Sequence, residues 1–352
     1  MPRAAIAALG VFLGGLCATA AEGSAFTVGT ATATEGHAAT GSIDVPAGVD
    51  PALHIPVALF HGAWPGPVLA LVAGSHGTEY ASILALESLI GRIDPTELNG
   101  TLIVVPLVNI PSFEQKIVHV NPVDGKSMNR YYPGRPDGTQ TERAAWAITR
   151  EVVERCDYLI DLHGGDLDEN LRPYSYWAKT GNEKQDAASR AMVLAFGLDH
   201  IIIATDRPKD PNASRYLETT AAVRGKPSIT VEAGRAGRVE SQDIDALVNG
   251  CLSVMRLLKI LPGTTTRVDH PVWIEKVVTI SSDHSGIFYP RVDRGDYVEA
   301  GMKIGYVTDY LGKTVLEARS PATGVVLYVA ALPSMRKGET IANIGVVAAR
   351  AP

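Results

Sequence analysis

Gly74-Ser75-His76-Gly77-Thr78-Glu79 follows the apolar run Val68–Ala73 and precedes a helical pattern from Tyr80 to Ile90. A histidine and a glutamate therefore lie at the turn where a predicted buried strand becomes a helix. Imidazole nitrogen and carboxylate oxygen are both good zinc ligands, and a catalytic zinc site needs one further protein ligand, with water in the fourth position. His76 and Glu79 are thus candidate metal ligands, although such a pair does not define a site by itself.

Short apolar runs alternate with amphipathic patterns on both sides of this stretch. The runs that predict strands are 55–60, 68–73, 101–107, 158–162, 200–204 and 228–231. The segments with helical spacing are 81–90, 141–155, 185–196, 213–223 and 244–258. Strands that alternate with helices predict an α/β fold, a parallel or mixed sheet flanked by helices.

The pattern changes after about Val268 to short strands with glycine turns. Two segments, 285–305 and 323–341, resemble each other, each giving a strand, a turn at a glycine and another strand. They predict a small all-β domain that resembles the biotinyl/lipoyl-like barrel-sandwich hybrid.

Composition and the N-terminus limit the partners and the location. The net charge is −6 and no Lys/Arg-rich run occurs, so a small-molecule or peptide-like substrate is expected and a nucleic-acid partner is not. A charged start, an apolar middle and the small-residue exit Ala18-Thr19-Ala20 are typical of a secretory signal peptide. We therefore expect an exported protein, periplasmic or secreted, without a membrane span after cleavage.

The predicted organisation has four parts. They are a signal peptide over 1–20, a lead-in segment over 21–50, a catalytic domain over 51–262 and the β domain over 263–352. After removal of the signal peptide only Cys156 and Cys251 remain, and either two buried thiols or one disulfide is compatible with the sequence. The sequence also leaves a homo-oligomer open.

Two further polar stretches directly follow predicted strands, where open α/β sheets place their sites. His163, in Asp161-Leu162-His163-Gly164, can supply the third zinc ligand, with Asp161 to orient it. The alternative is a histidine satisfied by the backbone. Glu232 ends the run Ser228–Val231 and suits a general base opposite a zinc-bound water. Its alternative roles are capping the next loop or pairing with Arg235.

A loop bounded by glycine and proline, Ser127–Gly134, carries Asn129 and Arg130. The planar guanidinium of Arg130 suits bidentate binding of a substrate carboxylate, and the amide of Asn129 can add a second contact. The alternative is a solvent-exposed loop arginine.

Together these pieces, HGxE, NR, DLHG and ExG in that order, resemble the succinylglutamate desuccinylase/aspartoacylase family, which belongs with the zinc carboxypeptidases. The resemblance extends from about Ile55 to the C-terminus and implies a zinc-carboxypeptidase-like fold that hydrolyses the amide of an N-acyl amino acid. It also implies one Zn²⁺ per chain. The implied metal ligands are His76, Glu79 and His163, the implied base is Glu232, and the residues implied to bind substrate are Asn129 and Arg130.

The sequence departs from the family in one place. Relatives usually carry an additional arginine a few residues before the Asn-Arg pair, whereas this chain has His119-Val120-Asn121-Pro122 there. His119 is the candidate replacement, as a donor to the oxyanion or the acyl group.

Two other functions stay open: an exported zinc carboxypeptidase or amidase that acts on peptides or cell-wall fragments, and a secreted ligand-binding protein without catalysis.

Overall fold

The computed structural model describes Met1 and residues 24–352. The predicted signal peptide, apart from Met1, lies outside the described residues and stays a prediction. Within the part of the chain that is described, no helix combines the length and the apolar character that crossing a bilayer requires.

Strands and helices follow one another as listed here in chain order. The strands are β1 Ala25–Val28, β2 Ala31–Thr34, β3 His37–Val45, β4 Leu53–His61, β5 Trp64–Ala73, β6 Asn99–Val105, β7 Tyr158–His163, β8 Glu169–Leu171, β9 Tyr174–Ala178, β10 His200–Ala204, β11 Ser228–Glu232, β12 Val272–Ser281, β13 Gly286–Pro290, β14 Tyr297–Val298, β15 Lys303–Thr308, β16 Thr314–Arg319, β17 Gly324–Ala330, β18 Ser334–Met335 and β19 Thr340–Val347. The α-helices are α1 Tyr80–Ile90, α2 Ile110–Gln115, α3 Gln140–Ile148, α4 Glu183–Phe196, α5 Leu217–Ala222 and α6 Ser241–Leu257. A π-helical turn, Thr149–Val153, continues α3.

One large mixed sheet organises the molecule. Its strand order is β14-β17-β19-β12-β10-β9-β11-β7-β5-β6-β4-β3, and β8 pairs with β17 beside this path. Strands β6, β5, β7 and β11 are parallel neighbours, whereas β9 is antiparallel to β11. Helices α1, α4 and α6 pack on one face, and α3 and α5 pack on the other. The predicted α/β class, a mixed sheet flanked by helices, is confirmed.

Strand β5 shows why the central strands are continuous apolar runs. Leu69 and Leu71 belong to the core under α1, α4 and α6, whereas Ala70 and Val72 belong to the core on the opposite face. Successive side chains of a strand point to opposite faces, so a strand covered by helices on both sides needs an apolar residue at every position.

The C-terminal region forms a second layer of antiparallel strands. Strands β16, β15, β13 and β18 make a four-stranded sheet that packs against the β17 and β19 end of the large sheet, with Phe288, Ile304 and Ile344 among the buried residues between them. The predicted additional β structure is therefore present. Strand β12 comes after the predicted domain boundary between residues 262 and 263, and it pairs in parallel with β10, which comes before that boundary. The large sheet therefore includes strands from both sides of the boundary. The division into domains at that position stays a prediction.

The two cysteines of the described chain are free and buried. Cys156 packs in the core under α3, and Cys251 packs in the core on the opposite face of the sheet. The sheet between them excludes the disulfide alternative. Burial raises the pKa of the Cys156 thiol to about 12, so this thiol is unreactive at neutral pH.

Candidate active site

The C-terminal ends of three adjacent parallel strands bring the predicted site residues together. Strand β5 leads to His76 and Glu79, strand β7 ends at His163, and strand β11 ends at Glu232. Glu232 lies opposite His163 in the ladder between β11 and β7. The turn after β5 requires a glycine, since Gly74 has a φ of 68° and a side chain there would meet Leu107.

His76, Glu79 and His163 form a cluster whose donor atoms all lie within 4.8 Å of one another. The Nδ1 atom of His76 is 2.6 Å from Glu79 Oε1, and the Nδ1 atom of His163 is 2.9 Å from Glu79 Oε2. Burial raises the pKa of Glu79, but the charges of His163 and His76 outweigh burial and lower it to about 2. Two imidazole nitrogens and an ionised carboxylate on buried elements fit the ligand set of a zinc ion.

Residues behind the cluster hold the ring of His163 in place. Its Nε2 atom is 3.1 Å from the carboxylate of Asp161 and 3.1 Å from the side-chain amide nitrogen of Asn129. The Oδ1 atom of Asn129 accepts a hydrogen bond from the backbone N–H of Leu217 at 2.9 Å, which ties the site to the start of α5. Both contacts fall on Nε2, so they orient the ring with its Nδ1 atom toward Glu79.

Glu232 has no hydrogen bond or ion pair from its side chain to any described residue, and its carboxylate lines a cavity. The alternative partner, Arg235, instead binds Glu240 at 3.0 Å. Burial raises the pKa of Glu232 well above its usual value, and the nearby charge of Glu79 adds to that effect although His163 opposes it. A carboxylate without a partner among the described residues, beside a candidate metal site, can accept a proton in its ionised form.

Two guanidinium groups flank the ring of Tyr216 in the same cavity. Arg130 lies 5.0 Å from the ring centroid and Arg207 lies 4.6 Å from it. Arg207 also lies 5.0 Å from the ring centroid of Tyr176. The aromatic rings hold both arginines by cation–π contacts. Arg207 also forms an ion pair with the buried carboxylate of Glu218 at 3.8 Å, so its remaining N–H groups are the ones available to a ligand carboxylate.

Arg207 is a residue that the sequence analysis missed. It comes shortly after β10, which is parallel to β9 and therefore antiparallel to β11, so the end of β10 lies at the opposite edge of the sheet from Glu232. The rule that sites form at the ends of parallel strands therefore gave no signal for Arg207. Glu169, Tyr174 and Tyr176 line the same cavity and were likewise not predicted from the sequence.

His119 faces the cavity as a cation. Its Nδ1 atom is 3.2 Å from Asp166 and its Nε2 atom is 3.2 Å from Asp168. Burial lowers the pKa of His119, but the hydrogen bonds to Asp166 and Asp168 outweigh burial and raise it to about 11. The backbone of His119 has a φ of 63°, unusual for a residue other than glycine, and the carboxylate of Asp166 accepts its N–H at 3.0 Å. The chain thus places a fixed positive charge where the sequence lacks the expected arginine.

All the predicted site residues line one cavity of about 530 Å³. They are His76, Glu79, His119, Asn129, Arg130, His163 and Glu232. Tyr328 and Asn343 of the C-terminal β region complete the wall.

Comparison with known proteins agrees with this geometry. The family's sequence model for the succinylglutamate desuccinylase/aspartoacylase catalytic domain matches residues 65–258, which is more than half of the chain. The chain therefore belongs to the succinylglutamate desuccinylase/aspartoacylase family.

The similar proteins include a deacetylase and a desuccinylase. The chain is 28% identical over 288 residues to an N-alpha-acetyl-L-2,4-diaminobutyric acid deacetylase of Halomonas elongata, covering 80% of this chain and 83% of the relative. It superposes on the product-bound ectoine utilization protein EutE (DoeB) of Ruegeria pomeroyi with a TM-score of 0.80 and 25% identity, covering 88% of this chain and 95% of that one. A succinylglutamate desuccinylase from Silicibacter sp. gives a TM-score of 0.79, with 25% identity and the same coverage.

Proposed function

We propose that this protein is a zinc-dependent amidohydrolase that removes the acyl group from an N-acyl amino acid. The observation that carries the proposal is the convergence of His76, Glu79 and His163 beside the unpaired carboxylate of Glu232 in one cavity. The names of the related deacylases support the reaction class.

A zinc ion held by the three ligands would polarise the scissile carbonyl and lower the pKa of a bound water. Glu232 would accept the proton of the attacking water at its carboxylate and pass it to the leaving amine. Arg130 and Arg207 would hold the substrate carboxylate, which fixes the amide in one orientation and makes the attack effectively unimolecular. His119 would stabilise the negative charge that develops on the carbonyl oxygen by giving up its contact with Asp166 or Asp168 and donating that N–H to the oxygen.

The volume of the cavity suits a small substrate. Tyr328 and Asn343 of the C-terminal β region form part of its wall, and the volume of about 530 Å³ lies within the range of small-molecule pockets. An unpaired Glu232 also favours catalysis over simple ligand binding, since a binding protein has no need of a general base.

The proposal is tested by metal analysis and hydrolysis with the purified protein. We expect one zinc ion per chain and release of free amino acid from a panel of N-acetyl, N-succinyl and N-formyl amino acids, abolished by a chelator and restored by zinc. Activity on short peptides alone would move the assignment to a carboxypeptidase. A protein that binds no metal and hydrolyses none of these compounds would overturn the proposal.

Export is a separate part of the proposal and rests on the sequence of residues 1–20. Expression of the full chain in a bacterium with two membranes should give a periplasmic protein that lacks the N-terminal segment, measured by fractionation and by the intact mass. A full-length cytoplasmic product would contradict export and leave the proposed chemistry untouched.

A further inference from the structure

We infer that Glu169 binds a positively charged group on the side chain of the substrate, so that the preferred substrates are N-acyl diamino acids whose second amine is free. This inference rests on the proposed function and specifies its substrate class.

Glu169 lies at the meeting point of two cavities. It lines the catalytic cavity and also a neighbouring cavity of about 440 Å³ between the His119 loop and the C-terminal β region. Its backbone is fixed by strand pairing, since Glu169 lies opposite Ala330 in the ladder between β8 and β17. The N–H of Ala236 also donates to its carbonyl oxygen at 2.7 Å. The side chain is therefore presented to the cavity from a rigid element.

The carboxylate of Glu169 has little compensation from the protein. Its side chain accepts one hydrogen bond, from the backbone N–H of Asp166 at 3.2 Å. Within residues 24–352 no lysine, arginine or histidine nitrogen comes within ion-pair distance of it. A partly buried carboxylate without a cationic partner is costly unless a ligand supplies the positive charge.

Neighbouring charges leave this part of the cavity negative. His119 carries one positive charge but already binds both Asp166 and Asp168. Burial raises the pKa of Glu169 to about 7 although the charge of His119 opposes it, so a cation bound beside Glu169 would favour the ionised carboxylate. The two arginines that line the cavity flank Tyr216 instead. The cavity thus presents positive charge at one wall and negative charge at another, which suits a substrate with a carboxylate and a separate ammonium group.

Aromatic side chains line the cavity beside this carboxylate. Tyr174 and Tyr328 both border the catalytic cavity with Glu169. Burial raises the pKa of Tyr328 above its usual value, and the charge of Glu169 contributes, so the phenol stays neutral. Neutral aromatic rings next to a carboxylate are favourable surroundings for an ammonium ion.

One relative is named for a substrate that has both a carboxylate and a free ammonium group. Acetylation at the α-nitrogen of 2,4-diaminobutyric acid, as in the substrate that names the Halomonas elongata deacetylase, leaves the second amine free and positively charged. The charge distribution of this chain accommodates such a molecule with its carboxylate at Arg130 and Arg207 and its free ammonium at Glu169.

The test compares two substrates of equal size in three proteins. The substrates are Nα-acetyl-2,4-diaminobutyrate, whose side chain ends in an ammonium group, and Nα-acetylnorvaline, whose side chain ends in a methyl group. The proteins are the wild type, Glu169→Gln and the control Glu339→Gln. Glu339 lines the neighbouring cavity but already pairs with Arg336 at 2.6 Å. Melting temperature and zinc content of each variant establish that it is folded and loaded.

We expect the kcat/KM of the wild type to be about 10- to 100-fold higher for the diaminobutyrate substrate than for the norvaline substrate, as for a charge-assisted hydrogen bond. Glu169→Gln should lose that preference, because KM should rise for the diaminobutyrate substrate by a much larger factor than for the norvaline substrate. Glu339→Gln should match the wild type. Calorimetric titration with free 2,4-diaminobutyrate should show the same loss of affinity in Glu169→Gln, even if that variant is too slow to assay.

Three outcomes would overturn the inference. Equal hydrolysis of both substrates by the wild type would remove the preference while leaving the proposed deacylase function in place. An equal fall for both substrates in Glu169→Gln would make Glu169 a structural residue. Failure of the zinc-loaded wild type to hydrolyse any N-acyl amino acid would remove the proposed function and this inference together.

Discussion

Glu232 and His163 lie opposite each other in the parallel ladder between β11 and β7, and each is the last residue of its strand. Their separation is therefore set by the hydrogen bonding of two central strands rather than by a loop. Sites built on such elements keep their geometry to within a small tolerance, as proton transfer beside a metal requires.

Replacing Glu232 by glutamine should separate catalysis from metal binding. Glutamine keeps the shape of the side chain but cannot accept the proton, so kcat should fall by about 10²- to 10⁴-fold. Zinc content, measured by mass spectrometry of the metal, should stay the same. Glu317→Gln, on strand β16 of the outer sheet, is the matched control and should behave as the wild type. Normal turnover in Glu232→Gln would exclude its role as the base.

Arg207→Ala should weaken the binding of carboxylate-bearing substrates. We expect KM for N-acetyl amino acids to rise by about 10- to 100-fold, because a charge-assisted contact is lost. The corresponding N-acetyl amino acid amides, which lack the carboxylate, should be affected much less. Arg215→Ala is the control, because Arg215 also lies near Tyr216, at 5.9 Å from its ring centroid, but does not line the cavity. An equal loss for acids and amides would assign Arg207 a structural role.

His119→Ala tests whether this imidazolium replaces the arginine that is expected upstream of Asn129. Loss of an oxyanion donor lowers kcat by about 10²- to 10³-fold with little change in KM. Because the pKa of His119 is raised to about 11, the ring stays charged and should add no step to the pH dependence of kcat between pH 6 and 9. His284→Ala, an exposed histidine paired with Asp283, should leave turnover intact. Unchanged kcat in His119→Ala would remove its proposed role.

The free energy of unfolding should depend on pH through the ionisation of Glu142. It closes a capping box at the start of α3 and binds Lys126 Nζ at 2.8 Å. Burial raises the pKa of Glu142, but the contacts with Lys126 and Thr139 outweigh burial and lower it from 4.5 to about 2. The stabilisation is therefore complete above pH 4.5 and is lost as the pH falls toward 2.

Urea denaturation of Glu142→Ala measures this effect. The free energy of unfolding at pH 7 should fall by about 1 kcal/mol, and the difference from the wild type should shrink as the pH approaches 2. Glu154→Ala, which removes the exposed pair with Arg150, should change it by less than about 0.5 kcal/mol. A difference for Glu142→Ala that does not depend on pH would contradict this account.

The sequence predicted the parts of the fold that depend on local pattern. Strand β10 has the predicted bounds, and α1 and β7 differ from the prediction by one residue at one end. Strand β9 was missed because Tyr174-Ser175-Tyr176-Trp177-Ala178 is short and does not alternate cleanly between apolar and polar residues. Its position between β10 and β11, antiparallel to β11, depends on pairing with distant segments and has no local signal.

Local sequence pattern likewise predicted some residues of the site and missed others. His76, Glu79, His163 and Glu232 directly follow apolar strands, so their convergence could be expected from the rule for parallel sheets. Glu169 belongs to a strand of three residues whose partner, β17, is far away in the sequence. No pattern around Glu169 indicates that partner, and its place in the cavity became visible only in three dimensions.

The pairing of β8 with β17 also determines the order in which the pocket is assembled during synthesis. A chain emerges from the ribosome from its N-terminus, and early segments begin to fold first. The three candidate metal ligands lie between residues 76 and 163, so all of them are available to each other before β17 has been translated. The wall that contains Glu169 must wait for residues 324–330. The candidate metal ligands can thus come together before the wall that contains Glu169 is complete.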